Sequence, residues 1–164
     1  MDQNKQCSEQ DEMRAPFQIL VIPFRRTATG LEFAMLKRSD ADYWHFVAGG
    51  GEDGETPIEA ARREIQEEIG ITGDLIQLDS LSTVPKDCFA DAESWGQDVY
   101  VIPEHCFAVD TGNNELALSG EHTELRWVPY EQARSLLEWD SNRNALWELN
   151  ERLKAPNQAL EATS

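Results

Sequence analysis

Three glutamates, Glu64, Glu67 and Glu68, stand at i, i+3 and i+4 in the run Arg62-Arg63-Glu64-Ile65-Gln66-Glu67-Glu68-Ile69. On a helix they share an arc of about 100°, beside an apolar stripe of Ile58, Ala61, Ile65 and Ile69. Carboxylates at these spacings repel by a few tenths of a kcal/mol per pair, and only Arg62 and Arg63 lie close enough in sequence to offset them. A hard divalent cation would balance the charge, since Mg²⁺ takes oxygen ligands and is usually shared with substrate phosphates. A solvated acidic helix face has the same spacing, so spacing alone leaves both open.

The elements around these glutamates are legible. Thr56-Pro57-Ile58-Glu59 forms a capping box with proline at the first helical position, and Gly70 suits the left-handed position that ends the helix. Gly49-Gly-Gly51 before it predicts a loop, with the glycines allowing a tight turn and freeing a carbonyl. Glu52, Asp53 and Glu55 crowd that loop with negative charge and no Gly-Lys-Ser/Thr follows, which excludes a P-loop. Strands are predicted over Phe17–Phe24 and Leu31–Lys37, joined by a turn at Thr29-Gly30, and over Tyr43–Ala48. Further strands are expected near Leu75–Val84, Val99–Ile102, His105–Val109 and Glu124–Val128, and helices over Pro129–Leu137 and Ser141–Lys154. Several strands with few, unevenly spaced helices argue for an α/β (α+β) fold, a three-layer α/β/α sandwich on a mixed sheet.

The 164 residues, 40% hydrophobic and with five tryptophans, suffice for one domain with a core and not for two. Residues 1–15 and 155–164 lack periodicity and read as tails around a domain at 16–154. A net charge of −17 disfavours nucleic-acid polymers and anionic membrane surfaces, so any phosphorylated ligand needs cations to mediate it. Cys7, Cys88 and Cys106 have no CxxC spacing and fit reduced thiols, and no segment approaches the ~18 apolar residues of a membrane span. A soluble, cytoplasmic protein is expected.

Gly49, five residues, Glu55, seven residues and Arg63-Glu64-Ile65-Gln66-Glu67-Glu68-Ile69-Gly70-Ile71 match G-x5-E-x7-R-E-U-x-E-E-x-G-U, with U apolar, at every defined position. The chain thereby resembles the Nudix hydrolases. The resemblance implies an α/β/α sandwich with this box as a loop-helix-loop. It also implies hydrolysis of a diphosphate linked to another moiety, with Mg²⁺ or Mn²⁺ held by Glu64, Glu67 and Glu68 and the Gly49 carbonyl as a candidate further ligand. Arg63 and Glu55 would pair to orient the carboxylates, although Arg63 also stands four residues from Glu59 and Glu67 and fits a simple helical ion pair. The expected chemistry is in-line attack of activated water on phosphorus, with a carboxylate from the box or a later loop taking the proton.

Outside the box, the chain is similar to the branch containing dihydroneopterin triphosphate and dATP pyrophosphohydrolases. That likeness rests on Leu36-Lys37-Arg38 with Asp42 to Val47, Gly120-Glu121-His122 before Leu125 to Val128, and Trp139 to Arg143. It implies a metal-linked carboxylate at Glu121. His122 is a candidate acid-base group or a surface residue, and Arg38 is a bidentate phosphate clamp or a surface ion pair. Trp44 and Trp95 are candidates to stack on a flat base or pterin, with core packing an equal alternative for Trp44. Trp127, Trp139 and Trp147 are assigned to packing, and Asn142 and Arg143 either anchor the last helix or reach the substrate. The expected activity is hydrolysis of a nucleoside or pterin triphosphate, dATP-like, to monophosphate and pyrophosphate. The alternatives are a Nudix hydrolase of dinucleoside polyphosphates or ADP-sugars, and a non-catalytic nucleotide sensor.

Overall fold

A computed structural model describes residues 14–90 and 92–155. Apart from Arg14, Ala15 and Ala155, the two expected tails lie outside the described residues. The apolar run Phe17–Phe24 lies inside a long strand, β1 (Arg14–Thr27), which turns at Gly30 into β2 (Gly30–Arg38). The two strands pair only near the turn. Beyond it, β3 (Trp44–His45) pairs with β2, and β4 (Val47–Glu52) pairs antiparallel with the first half of β1. On its other edge β1 runs parallel to β6 (Val101–Asp110), from Gln18 opposite Glu104 to Phe24 opposite Asp110. Strand β5 (Leu75–Pro85) lines the outer edge of β6, and β7 (His122–Val128) pairs with β2.

Alternation along β1 sends Ile19 and Val21 to one face of the sheet and Leu20, Ile22 and Phe24 to the other. The first face buries α1 (Pro57–Ile69) through Ala61, Ile65 and Ile69 against Phe107 and Val109. The second buries α2 (Tyr130–Leu136) and α3 (Asp140–Lys154) through Ala133, Leu146 and Leu149 against Phe33, Met35 and Cys106. Two apolar clusters on opposite faces of one mixed sheet make the expected three-layer α/β/α arrangement.

Two departures from the sequence pattern have local causes. The separate strands expected over Val99–Ile102 and His105–Val109 are continuous as β6, because pairing with β1 begins only at Glu104 and leaves that edge open beside Pro103. The expected glycine loop is also strand: Gly49 and Gly50 pair with Ile19 and Gln18 in β4, and none of the three glycines has a positive φ. Their role is close approach instead of a tight turn. A Cβ on Gly49 would fall on the Glu64 carboxylate, and one on Gly51 on the Phe17 ring.

Helix α3 is fastened to the edge strand by a carboxylate. The ladder between β5 and β6 shifts register between Gln77 and Leu81. The amides of Asp79 and Ser80 freed there donate to Glu148, each at 2.7 Å, and Ser80 Oγ donates to it at 2.6 Å. Arg152 Nε holds the same carboxylate at 2.8 Å.

Candidate functional site

The capping box sets the phase of α1. Thr56 Oγ1 accepts from the Glu59 amide and Glu59 Oε1 from the Thr56 amide, while Gly70 closes the helix at φ 70°. This phase places Arg63 over the end of β4. Its Nε and Nη2 donate to the two oxygens of Glu55, each at 3.0 Å, and Nη2 also reaches the Gly50 carbonyl at 3.0 Å. Nη1 donates to Glu64 at 2.9 Å and to Glu67 at 3.2 Å. The structure therefore contains both the pairing with Glu55 and the helical pair with Glu67. Glu55 is locked in turn by accepting from the Glu52 amide at 2.7 Å.

Glu68 lies one turn beyond Glu64 and is only 4% exposed. It accepts from the Ala48 amide of β4 at 3.2 Å. Burial, with the neighbouring charges of Glu64 and Glu121, pushes its carboxyl up to about 9. Burial likewise raises Glu64 to about 7, although Arg63 opposes the shift. Glu67 is exposed at the rim. Among the described residues no three His, Cys, Asp or Glu side chains are disposed to enclose one ion, because Glu64 and Glu67 are both turned onto Arg63.

Glu121 reaches the same cleft from the opposite side. Its carbonyl accepts from the amide and hydroxyl of Ser39, each at 3.0 Å, which ties the segment before β7 to the end of β2. Arg38, at that strand end, forms a two-pronged pair with Asp40 at 2.6 Å for each bond, which holds the Asp40 carboxyl below its usual range. Beside it His45 Nε2 and His122 Nε2 are 3.0 Å apart and both rings are buried. Burial, then the neighbouring His122 and Arg38, pushes His45 down to about 3, and burial also lowers His122. His122 is thus a buried partner of His45 and not a surface residue.

These groups line a cleft of about 610 Å³ that brings together Arg38, Gly49, Glu64, Glu67, Glu68 and Glu121. The box glutamates come from α1, Gly49 from β4, and the others from the ends of β2 and β7. An adjoining chamber of about 390 Å³ shares Arg38, His45, Ala48, Cys88 and Phe89 with the cleft and lies on the α3 side of the sheet.

Of the tryptophans, Trp44 takes its core-packing alternative, while Trp95 and Trp139 depart from expectation. Trp44 lines neither space: its ring lies under Arg126, 4.7 Å from the guanidinium carbon, and packs against the core. Trp95 lines neither as well, because its indole donates to the Arg14 carbonyl at 2.8 Å and its ring meets Phe89 edge-on. Trp139, assigned to packing, is 54% exposed and lines the chamber; Trp147 is equally exposed. Trp127 stacks with Arg25 at 4.1 Å. Arg143 is an anchor, held by Asp140 and the Leu137 carbonyl, while Asn142 faces the chamber. Ala48, Phe89 and Glu104 carry no signal in the residue pattern, and His45 enters only within the segment Asp42 to Val47, although the even-numbered alternation along β6 places Glu104 on the same face as Cys106 and Ala108.

The chain belongs to the Nudix family, whose NUDIX domain profile matches residues 17–148. It is similar to a Listeria monocytogenes protein assigned to the NUDIX hydrolases, at 50% identity and a TM-score of 0.78 over 85% of this chain and 95% of the other. It is 28% identical to dihydroneopterin triphosphate diphosphatase of Escherichia coli K12 over 81% of this chain and 91% of that protein. The structure of the E. coli dihydroneopterin triphosphate pyrophosphohydrolase superposes with a TM-score of 0.67 at 26% identity, over 84% and 98% of the two chains. The protein is therefore a Nudix hydrolase on the α+β fold of that family. No helix among the described residues is long and apolar enough to cross a membrane.

Proposed function

We propose that this hydrolase is a divalent-metal-dependent pyrophosphohydrolase that cleaves a nucleoside or pterin triphosphate to the monophosphate and pyrophosphate. The observation that carries the reading is the gathering of Glu64, Glu67, Glu68 and Glu121 on one cleft that opens into a ring-sized apolar chamber. Relatives named as dihydroneopterin triphosphate diphosphatases, matched over most of their length, support the substrate class.

The chemistry of the donor set fits Mg²⁺ or Mn²⁺, because it is all oxygen with the buried Glu68 beside Glu64 and Glu121. Closing on an ion requires Glu64 and Glu67 to turn from Arg63. Glu64, Glu67, Glu68 and Glu121 would hold the metal, with the Gly49 carbonyl as a further donor. When bound, the metal neutralises phosphate charge and acidifies water. The protein supplies the rest. Arg63 fixes the rotamers of the box carboxylates against Glu55 and the Gly50 carbonyl. Arg38 exchanges Asp40 for the substrate phosphates, which offer the same two-pronged geometry with more charge. A carboxylate of the cleft takes the proton from water as it attacks phosphorus in line and pyrophosphate leaves.

Chromatographic product analysis tests this reading, using Mg²⁺ and a panel of nucleoside triphosphates, dihydroneopterin triphosphate, diadenosine polyphosphates and ADP-ribose. Monophosphate and pyrophosphate from a triphosphate, lost in EDTA and restored by Mg²⁺ or Mn²⁺, is the expected result. Preferential turnover of a dinucleotide or ADP-ribose replaces the substrate class, metal-independent hydrolysis removes the mechanism, and binding without turnover makes the protein a sensor.

A further inference from the structure

The chamber beside the carboxylate cleft holds one polar side chain that the fold leaves unpaired and one that it pairs weakly. Glu104 on β6 and Asn142 in the first turn of α3 both line it. Asn142 is 5% exposed, and its side chain makes no hydrogen bond among the described residues. Glu104 has one weak contact, accepting from Ser82 Oγ at 3.5 Å. Its register neighbour on β1, Gln18, lies on the same face and lines the adjoining cleft, and Gln18 Oε1 is buried with no partner. Asn142 is thus buried and unpaired among the described residues, Glu104 is half-buried with one weak contact, and Gln18 Oε1 is a buried orphan in the adjoining cleft. Polar groups so placed in folded proteins are normally paired, so those where the two spaces meet call for a complementary ligand.

The rest of the chamber says what shape that ligand has. Tyr43, Phe89 and Trp139 contribute aromatic walls, and Leu20 and Ala48 an apolar floor. Trp139 stays 54% exposed although it meets Tyr43 edge-on at 6.3 Å, which leaves a ring face free at the mouth. The chamber is continuous with the cleft through Arg38, His45 and Ala48. A ligand with a flat heterocycle in the chamber thus extends its phosphates toward the box glutamates.

We propose that Glu104 and Asn142 read the edge of that heterocycle and select the 2-amino-4-oxo edge shared by guanine and pterins over that of adenine. The inference rests on the triphosphate-hydrolase reading above. An ionised carboxylate offers acceptors only, and a 2-amino-4-oxo ring presents two adjacent N–H donors, the amino group and the ring N–H, which match its two oxygens. Gln18 Oε1 adds a third acceptor on the same side. The Asn142 amide donates to the ring acceptors that remain. Adenine instead turns a ring-nitrogen lone pair beside its single amino group, so one Glu104 oxygen would face a lone pair. Burial raises the Glu104 pKa, and two N–H donors counter that rise by favouring the ionised form.

The experiment compares wild type, Glu104→Gln and Asn142→Ala, with thermal melts to confirm folding, on dGTP, dihydroneopterin triphosphate and dATP. Wild type should favour dGTP or the pterin over dATP in kcat/KM. Glu104→Gln, which replaces one acceptor with a donor, should lower that ratio by about 10- to 100-fold, the scale of one lost charged hydrogen bond. Asn142→Ala, which leaves the acidic edge in place, should raise KM more than it lowers kcat. The dGTP and pterin arms identify which source of the shared edge is used. A ratio that Glu104→Gln leaves unchanged, or a wild-type preference for dATP, overturns the proposal while the hydrolase reading stands. If none of the three is hydrolysed, the triphosphate reading fails, and calorimetry with guanosine, neopterin and adenosine decides the chamber separately. Selective binding of guanosine or neopterin that Glu104→Gln abolishes sustains it, and no selectivity overturns it.

Discussion

Glu68 is held in a position that a folded protein without a ligand would avoid. It is buried beside Glu64 and Glu121, and one backbone amide, that of Ala48, is its compensating donor. Folding in chelator at neutral pH must protonate this carboxyl, which the unfolded chain keeps ionised, so an amide of the same shape should stabilise the protein. Glu68→Gln is expected to raise Tm in EDTA, by about 2–4 °C per kcal/mol of protonation cost removed, while lowering turnover by about 10²-fold or more. An unchanged or lower Tm would show that Glu68 folds without that cost. Glu67 is exposed at the rim, so Glu67→Gln should cost turnover with little change in Tm, and near-normal activity would remove it from the site. Gly49→Ala should unseat Glu64, because the added methyl falls on its carboxylate, and activity should drop more than Tm. The box residues were legible because their spacing is defined along one helix. His45, Glu104 and Ala48 were not, because each acquires its place through a contact distant in sequence: the His45 ring with that of His122, Glu104 beside Gln18 in the sheet, and Ala48 beside Leu20 in the sheet and under Glu68.

Helices α1 and α3 illustrate what a pattern can and cannot say about an element. Both were legible, α1 in its cap, its stripe and its end. The pairing of α3 with β5 was not, because Glu148 reads as one more surface acid among 31 Asp and Glu. In the fold it accepts two backbone amides and a hydroxyl at the register break of β5. Glu148→Ala should cost about 1–3 kcal/mol, since those amides lose their acceptor, and denaturant melts would read it as a lower midpoint with unchanged slope. Hydrogen exchange should quicken first at Asp79 and Ser80. Protection retained there in the variant would assign the bulge to strand pairing alone. The glycine segment before α1 failed as a predicted loop for a related reason. Glycine permits either a turn or a close approach, and which one applies depends on what packs over it, here Glu64 and Phe17.

At the scale of the molecule, charge and pairing order both matter. With a net charge of −17, the protein repels a polyphosphate before any contact forms. Raising ionic strength at fixed free Mg²⁺ should therefore increase kcat/KM at first, the opposite of an attractively steered enzyme. A monotonic fall would show that the bound cation reverses the local field. Acid should act through His45, which packs against His122 and near Arg38 and Asp40 and is held down at about 3. The unfolded chain takes up a proton near pH 6.5 that the folded one refuses until about 3, so the His45 contribution to stability falls as pH drops through that window, while Glu64 and Glu68, raised by burial, act in the opposite sense. His45→Asn should remove its contribution and make the variant lose less stability than wild type between pH 6.5 and 5; an equal loss would place the acid sensitivity elsewhere. The parallel pairing of β1 with β6 carries a different consequence, for synthesis. Ile65 and Ile69 of α1 find Phe107 and Val109 only when β6 has joined β1 across more than eighty residues of chain. Such distant contacts slow folding, because the loop must close before they form. On the ribosome the box helix therefore emerges with β1 and β4 already available to pack on but without Phe107 and Val109, so the apolar layer beneath it stays incomplete until β6 has cleared the exit tunnel.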